Sequence, residues 1–342
     1  MDWKNNDSNT IMEDVIPKVD ANLIKSELTS DKLLRKTNKS GNEIYLFTAH
    51  NAPNTMKEVA RLREIAFRYY GGGSGKSCDL DIFDTMENPY RQLIVWDPER
   101  EEILGGYRFL CGNEVIFDEK GQPCNLATSE LFHFSQEFID DYLPCTVELG
   151  RSFVSLDYQL TKLDSKKALY ALDNLWDGLG ALSVIDKSLK YYFGKVTMYN
   201  TYPPEARNLL LFFLDKYFLD EKNLVVPIHP LKTDTDYNKM KGLFSGNNYK
   251  EDYRILNSEV RKFGINIPPL ISAYMSLSPT MRVFGTAINE EFGQVEETGI
   301  LININEIFEE KKKRHIESFL KERPSKRFLK CIRMAISEKW KK

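Results

Sequence analysis

The sequence has few cysteines and none of the patterns that cysteines form at metal sites or in disulfide frameworks. Five cysteines are scattered along 342 residues without a CxxC pair. We therefore expect reduced thiols, and neither a zinc site nor a disulfide-stapled fold. The first twenty residues also lack the basic and apolar regions of a signal peptide, which predicts a cytoplasmic protein.

Long apolar runs are missing as well. The longest unbroken run, Leu209 to Leu214, is far shorter than the roughly 20 residues that a membrane-spanning helix needs. A hydrophobic content of 42% with 12% aromatic residues is nevertheless enough for a sizeable core, in one elaborated domain or two small ones. The net charge of −3 indicates no particular partner, and we predict no nucleic-acid binding.

The stretch from Thr146 to Val154 (TVELGRSFV) has the β-branched and aromatic residues of a central strand, yet it carries two charges. In a regular strand Glu148 and Arg151 would point to opposite faces. A bulge at Gly150 would bring both onto one face and free a backbone N–H, which would make a catalytic surface. A buried structural salt bridge beside a packing glycine is the alternative.

The rest of the chain reads as alternating strands and helices. The predicted elements are strands at 42–49, 91–97, 103–111, 146–154 and 195–200 and near 281–288 and 299–304, with helices at 54–70, 126–142, 166–193, 204–218 and 267–277. This order predicts a layered α/β or α+β sheet. Residues 1–41 read as a surface arm and 309–342 as a basic tail.

The glycine-rich stretch from Tyr70 to Ser77 (YGGGSGKS) invites a nucleotide-binding interpretation, which we reject. A phosphate-binding loop needs a glycine where Tyr70 stands, and it follows a strand, whereas a helix precedes this stretch. The glycines instead predict the end of that helix and a mobile lid.

Charged residues recur on elements that otherwise look apolar. Arg63 lies in the first long helix and Arg108 in a strand, and three acids follow the glycine-rich loop at Asp79, Asp81 and Asp84. The acids suit a helix start, where short side chains cap free N–H groups. They lack the spacing of a calcium loop, so we predict no metal site.

Seven segments together carry a resemblance to a known family. They are LREIAF, DLDIFD, GGYRFL, ELFHF, VELGRSFV, PPLISAYMSLSP and FGTAINEEFG. The chain resembles, from about Glu43 to Ile307, the N-acyltransferases that make ornithine lipids, glycine lipids and related N-acyl amino acids. These belong to the GCN5-related N-acetyltransferase (GNAT) superfamily and are similar to acyl-homoserine-lactone synthases. The resemblance implies an acyltransferase domain over 42–308, with a mixed, mostly antiparallel central sheet flanked by helices and a bulged central strand.

The resemblance also implies a set of site residues. The lactone synthases have a set of charged and aromatic site residues, and seven residues of this chain have the same order and approximate spacing. They are Arg63, Phe67, Asp81, Asp84, Arg108, Glu148 and Arg151. The tryptophan that those synthases place after the first helix is missing here, where Gly71 to Lys76 stand, and this weakens any transfer of amine specificity.

The chemistry implied is direct acyl transfer to an α-amine. A protonated amine must first lose a proton, and Glu148 is the candidate base. Arg151 is the second residue that we predict to be catalytic. A backbone N–H near Arg151 to Phe153, exposed by the bulge, would hold the developing oxyanion, and Arg108 or Arg151 would pair with the acceptor carboxylate. The acyl chain needs an apolar slot, whose predicted walls are Phe109, Phe132, Phe134 and Phe153, and the remaining predicted substrate contacts are Ser152 and Val154.

The donor is expected to be an acyl-phosphopantetheine thioester, with no permanently bound cofactor. Enzymes that use free coenzyme A place a glycine-spaced basic loop after this strand, whereas YQLTKLDSKKAL has no glycine. This favours acyl carrier protein as a partner, facing Lys162, Lys166 and Lys167, although coenzyme A stays open and those lysines could equally form a solvated face.

The end of the chain is strongly basic, since Lys311 to Lys342 hold thirteen Lys and Arg against three Glu. The pattern over 325–342 predicts an amphipathic helix that either contacts an anionic membrane or packs on the domain. We expect an N-acyltransferase that joins a long-chain, saturated or 3-hydroxy, acyl group to an amino acid, glycine before ornithine or lysine. A non-catalytic acyl-binding protein and a lactone-type synthase are the alternatives.

Overall fold

The computed structural model describes residues 12–160, 165–246 and 248–322, together with Leu329 and Ile332. In these ranges the strands are β1 Leu33–Lys36, β2 Glu43–Phe47, β3 Arg91–Asp97, β4 Glu102–Cys111, β5 Phe132–Phe134, β6 Thr146–Val154, β7 Tyr191–Met198, β8 Val225–Pro227, β9 Arg282–Asn289 and β10 Val295–Asn303. The α-helices are α1 Ala21–Glu27, α2 Pro53–Tyr69, α3 Ile82–Thr85, α4 Leu156–Leu160, α5 Ser165–Ile185, α6 Pro204–Phe218, α7 Tyr237–Leu243, α8 Tyr249–Arg261, α9 Pro269–Met275, α10 Glu309–Lys312 and α11 Ser318–Lys321.

Eight strands form one sheet in the order β1-β2-β3-β4-β6-β7-β10-β9, and β5 and β8 form a separate pair. Every neighbouring pair in the large sheet is antiparallel except β6 and β7, which run parallel. The predicted fold class, a mixed and mostly antiparallel sheet flanked by helices, is confirmed.

The two faces of the sheet are covered differently. Helix α5 packs on the face that carries Leu93, Phe109 and Leu149. The opposite face has two apolar clusters: one joins α2 to β2 and β3, and the other joins β5 and β8 to Leu110 and Phe193. The candidate site lies on this second face.

Helix α2 begins and ends as its sequence dictates. Pro53 opens it, since proline at the first helical position gives up an N–H that has no partner there. The carboxylate of Glu27 accepts hydrogen bonds from the N–H groups of Asn54 and Thr55, at 3.0 and 2.7 Å. At the other end, the N–H of Gly72 donates to Phe67, which closes the last turn.

Two predicted helices differ in the structure. Residues 126–142 form a 3₁₀ turn at Ala127–Glu130, strand β5 and a π-turn at Phe138–Tyr142, because β5 pairs with β8 far along the chain. The helix predicted over 166–193 ends at Ile185, and Tyr191, which had been placed inside it, begins β7.

Part of the basic tail packs on the domain. Gly180 of α5 has room only for hydrogen, since a Cβ there would lie 2.2 Å from the carbonyl oxygen of His315. Ile332 is buried in the cluster beneath α5, as expected of a helix packed on the domain. The other residues of 325–342 except Leu329 lie outside the described ones, so membrane contact there stays a prediction, as do the domain boundaries. None of the described helices is long and apolar enough to span a membrane.

Candidate active site

Strand β6 contains the predicted bulge, but its position differs in detail. Gly106 pairs with Phe153 and Arg108 with Gly150, so three steps along β6 face two along β4. The extra residue falls after Gly150, and Arg151 takes the left-handed backbone conformation, with φ of 47°. The bulge is therefore confirmed, while the strained position is the arginine and not the glycine.

Three arginines and three aspartates form a closed ring beside this bulge, which we call the ion-pair ring. Its contacts, in order, are Arg63–Asp79 at 2.8 Å, Asp79–Arg151 at 3.0 Å, Arg151–Asp81 at 3.4 Å, Asp81–Arg108 at 2.6 Å, Arg108–Asp84 at 3.2 Å and Asp84–Arg63 at 2.9 Å. Each charge meets two of opposite sign, and the ring is neutral as a whole.

The six residues come from four different elements. Arg63 lies on α2, Arg108 on β4 and Arg151 on β6, while the aspartates surround the first turn of α3. Asp81 caps that turn by accepting from the N–H of Asp84, and the side chain of Asp84 accepts from the N–H of Asp81. Asp81 and Asp84 therefore cap the start of a helix, as the sequence predicted, and they also pair with the arginines of the site.

Burial is uneven around the ring. The Arg63 and Asp84 side chains are fully buried, whereas Arg151 and Asp81 are 16% and 25% exposed. Burial by itself raises the pKa of Asp79 and Asp84, but the guanidinium groups hold both pKa values below their usual range. Asp79 and Asp84 therefore stay charged, and the corner formed by Arg151 and Asp81 is the one that opens to solvent.

Glu148 lies on the same face but does not pair with Arg151. Its carboxylate accepts a hydrogen bond from the hydroxyl of Tyr90 and another from the N–H of Thr128, at 2.9 Å. The side chain is buried, and burial with the adjacent carboxylate raises the pKa of Tyr90 well above its usual value. The guanidinium of Arg108 lies 5.2 Å from the centre of the Tyr90 ring, which links Glu148 to the ion-pair ring.

Aromatic rings border the open corner. Phe292 lies 4.2 Å from the guanidinium carbon of Arg151 and packs edge-on against Phe67 at 5.2 Å. The rings of Tyr199 and Tyr70 stack with their centres 5.6 Å apart, and Gly72 lies against the ring of Tyr199. These rings narrow the space next to Arg151.

The phenylalanines predicted to form one acyl slot lie apart. Phe109 is on the face covered by α5, Phe153 belongs to the α2 cluster, and Phe132 and Phe134 belong to the cluster with β8. All four are buried. Ser152 and Val154 are half-buried on β6.

The loop from Gly71 to Lys76 is fixed by Glu64. This buried carboxylate accepts from the N–H groups of Ser74 and Gly75, at 3.0 and 2.9 Å, and from the Ser74 hydroxyl. Arg68 adds a hydrogen bond to Glu64 and another to the Lys76 carbonyl. These contacts hold the loop in place, contrary to the expectation of a mobile lid.

The structure adds residues that the sequence analysis missed. Lys195 on β7 pairs with the buried Glu297 on β10 at 2.6 Å, and Thr197 donates to the same carboxylate. The sequence signal that could have revealed this pair is the two adjacent acids Glu296 and Glu297 in an apolar strand, because a buried strand rarely carries unpaired acids. Glu130 ends the 3₁₀ turn, and Lys195 is among the charged groups that act on its carboxyl group.

Strands β6 and β7 stop pairing midway. Their parallel register runs from Thr146 with Tyr191 to Leu149 with Gly194. A small cavity lies at this point, lined by Leu149, Gly194, Lys195 and Tyr274 among others. Beyond this point the described part of β7 offers no register partner to the bulge residues Arg151 and Ser152.

The lysines predicted to meet a carrier protein are not placed. Lys162 lies outside the described residues, and α5 contains Lys166 and Lys167 without a description of their side chains. Within the described ranges, no group of His, Cys, Asp and Glu is arranged to hold a metal ion.

Comparison with known proteins identifies a family domain in part of the chain. Residues 62–166 match the family described as an acetyltransferase (GNAT) domain. Two solved structures of a CoA-dependent acyl-homoserine lactone synthase are 13% identical, cover 49% of this chain and 72% of theirs, and give TM-scores of 0.28 and 0.27. Similarity at that level supports no functional inference.

Two curated relatives are much more similar. A glycine N(alpha)-acyltransferase of Phocaeicola vulgatus is 60% identical over 92% of this chain and 95% of its own length. A second protein of that name, from Bacteroides thetaiotaomicron, is 59% identical over 94% of each chain. With nearly its whole length aligned at this identity, the chain belongs to the family of these glycine N(alpha)-acyltransferases, and it is an N-acyltransferase with a GNAT domain.

Proposed function

We propose that this N-acyltransferase moves a long-chain fatty acyl group, saturated or 3-hydroxy, from a thioester to the α-amine of glycine. Its relatives carry glycine in their names. The product would be an N-acyl glycine and a precursor of an aminolipid. Ornithine and lysine are the competing acceptors.

The observation that carries the proposal is the open corner of the ion-pair ring. Arg151 and Asp81 are its two most exposed members and share its longest contact, 3.4 Å. A free amino acid at neutral pH carries a carboxylate and an ammonium group close together. Such a zwitterion can enter between them, with its carboxylate on the guanidinium fork and its ammonium beside Asp81.

The aromatic border favours a small acceptor. Phe292 covers one side of Arg151, and Phe67 supports Phe292. A side chain on the amino acid would have to fit beside these rings, whereas glycine has none. This supports glycine over ornithine and lysine.

The thioester would lie across the gap between β6 and β7. Beyond Leu149 the two strands no longer pair, and the backbone of the bulge at Arg151 and Ser152 faces this gap. A backbone N–H there would bind the oxygen of the thioester carbonyl as negative charge develops on it. The Nε–H of Arg108 is a further buried donor, with no hydrogen-bond acceptor among the described residues.

Glu148 would act in this mechanism mainly by holding neighbouring groups. Both carboxylate oxygens are engaged, by Tyr90 and by Thr128, so direct removal of a proton requires one of these hydrogen bonds to open. Arg63 and Asp84 are fully buried and would position Arg151 and Arg108 without touching substrate.

We also propose acyl carrier protein as the preferred carrier of the acyl group, with coenzyme A as the alternative. The segment from Tyr158 to Leu169 (YQLTKLDSKKAL) has no glycine to wrap a free pyrophosphate. Reversing the charges of Lys166 and Lys167 to Glu should raise KM for the carrier-bound thioester, because acyl carrier proteins are acidic, and leave KM for the coenzyme A thioester unchanged.

The test is a product analysis. The full chain is incubated with a palmitoyl or 3-hydroxypalmitoyl thioester on each carrier, and with glycine, ornithine and lysine in separate reactions. Mass spectrometry should find N-acyl glycine as the main product, with one free thiol released per amide. Thioester consumption without an amide, or faster acylation of ornithine, would contradict the proposal.

A further inference from the structure

We propose that Glu130 is a further catalytic residue of this site, the carboxylate that takes a proton from the attacking amine. This inference rests on the acyl transfer proposed above. It assigns the proton transfer to a residue that the sequence analysis did not single out.

The turn that carries Glu130 is fixed at both ends over the site. At one end, the N–H of Thr128 donates to Glu148 on β6 at 2.9 Å. At the other end, the ring of Phe132 packs over Gly299 of β10, which pairs with Lys195 of β7. The turn therefore crosses from β6 to β10 above the gap where the thioester would lie.

Glu130 is the last residue of this turn, between Thr128 and Phe132, and so lies on the segment that crosses the gap. Leu131 and Phe132 are buried, whereas Glu130 is exposed. The charged groups that act on it come from every side of the cleft: Asp81 after the glycine-rich loop, Arg108 on β4, Lys195 on β7 and Glu291 after β9. Two of these groups, Asp81 and Arg108, belong to the ion-pair ring, and Asp81 forms part of its open corner.

These surroundings suit a proton acceptor. Partial loss of solvent raises the pKa of Glu130, the negative charges of Glu291 and Asp81 raise it further, and Lys195 and Arg108 oppose them. A base works best when its pKa approaches the working pH, so a raised carboxyl pKa improves proton transfer. Unlike Glu148, Glu130 accepts no hydrogen bond from the residues that the structure describes, so none has to open first.

Acyl transfer removes two protons from the nitrogen of the acceptor. The ammonium group gives one proton to Glu130, and the nitrogen lone pair then forms the C–N bond at the thioester carbon. The C–S bond breaks with its electron pair on sulfur. The second proton lost by nitrogen goes to sulfur, which leaves as a thiol, and Glu130 returns its proton to solvent.

The test compares Glu130→Gln with Glu130→Asp in the full chain. Glu130→Gln should lower kcat/KM for glycine by about 100-fold or more, within the range of general-base catalysis. KM for the acyl thioester should not change. The wild-type rate should fall as the pH drops through the pKa of Glu130, and this dependence should be absent in Glu130→Gln. Glu130→Asp should restore part of the rate.

A second acceptor separates proton transfer from a structural role. The nitrogen of aminooxyacetate is unprotonated at neutral pH, so its acylation should be reduced much less by Glu130→Gln than that of glycine. Glu119→Gln, at another exposed glutamate on a surface turn, is the matched control and should behave as wild type. An equal loss with both acceptors, or no loss with glycine, overturns the assignment.

The two proposals can fail separately. If the wild type acylates another amine in place of glycine, the proposed acceptor is wrong, and the variants are then compared on that amine. A loss specific to basic amines still supports Glu130, and an unchanged rate still overturns it. If the wild type transfers no acyl group to any amine, both proposals fail.

Discussion

The guanidinium of Arg151 lies 3.4 Å from the carboxylate of Asp81, at the corner where the ion-pair ring opens to solvent. A zwitterionic acceptor that enters there exchanges this ion pair for two of its own. Affinity for the acceptor should therefore depend on the shape of the guanidinium group as well as on its charge.

Arg151→Lys keeps the charge but removes the planar pair of donors. We expect KM for glycine to rise by about 10-fold or more, since a hydrogen bond to a charged group contributes about 1.5–3 kcal/mol. KM for the thioester should stay unchanged in steady-state assays. Arg61→Lys is the matched control, because Arg61 forms a similar two-point contact with Glu58 outside the ring. An unchanged KM for glycine would remove Arg151 from acceptor binding.

The buried side of the ring should matter for stability. Asp84→Asn leaves the buried guanidinium of Arg63 with one carboxylate instead of two, and it leaves Arg108 with Asp81 alone. We expect a loss of about 3–5 kcal/mol in the free energy of unfolding, the usual result of breaking a buried ion pair. Urea unfolding followed by circular dichroism measures it.

The control for that variant is an exposed pair. Glu259→Gln removes the partner of Lys262 on the surface and should cost about 0–1 kcal/mol. The pKa of Asp84 is lowered in the folded state, so its contribution is present above the unfolded value of about 3.9 and is lost as the pH falls through the folded value. The difference between wild type and Asp84→Asn should therefore narrow in acid. Equal stabilities at neutral pH would contradict the expectation.

Replacement by alanine should affect stability differently at two glycines next to the bulge. A Cβ on Gly150 would meet Arg108 at an ordinary 3.5 Å, whereas a Cβ on Gly194 would lie 2.7 Å from the carbonyl oxygen of Leu149. Gly150→Ala should change the free energy of unfolding by less than about 0.5 kcal/mol, and Gly194→Ala should cost about 1–3 kcal/mol. Thermal unfolding of the two variants side by side checks this. A larger loss for Gly150→Ala would mean that the bulge depends on that glycine.

The strands of the sheet and the bulge in β6 could be predicted from the sequence, because the residue patterns that indicate them lie within short segments. Two charged residues three positions apart in a regular strand point to opposite faces, and an inserted residue brings them onto the same face. Strand β6 contains such an insertion next to Gly150. The spacing of apolar residues likewise predicted α2 to within a residue at each end.

The partners of the charged residues could not be predicted in the same way. Arg151 and Glu148 were expected on one face of β6, but their partners were not foreseen: Arg151 pairs with Asp79 and Glu148 with Tyr90, both distant in the chain. Such pairings depend on how α3 and β6 pack together, which no short-range pattern records. Glu130 was missed for the same reason, because its turn was predicted as helix and becomes a crossing only when β5 pairs with β8.

The Glu64 carboxylate should control the loop from Gly71 to Lys76. In Glu64→Gln the oxygen can still accept from one of the N–H groups of Ser74 and Gly75, but the NH₂ group faces the other, and this unsatisfied half-buried donor should cost about 1–3 kcal/mol. The loop amides should then exchange with deuterium about 10-fold faster, measured on peptides that cover 70–77.

A looser loop should also weaken acceptor binding, because Gly72 packs against Tyr199 and Phe292 at the border of Arg151. We expect KM for glycine to rise in Glu64→Gln while KM for the thioester stays constant. Glu58→Gln is the matched control: Glu58 is buried on the same helix but binds Arg61 and the N–H of Val19, away from the loop. Unchanged exchange over 70–77 in Glu64→Gln would show that the loop is held by its backbone alone, and a similar rise in both variants would assign the effect to the helix as a whole.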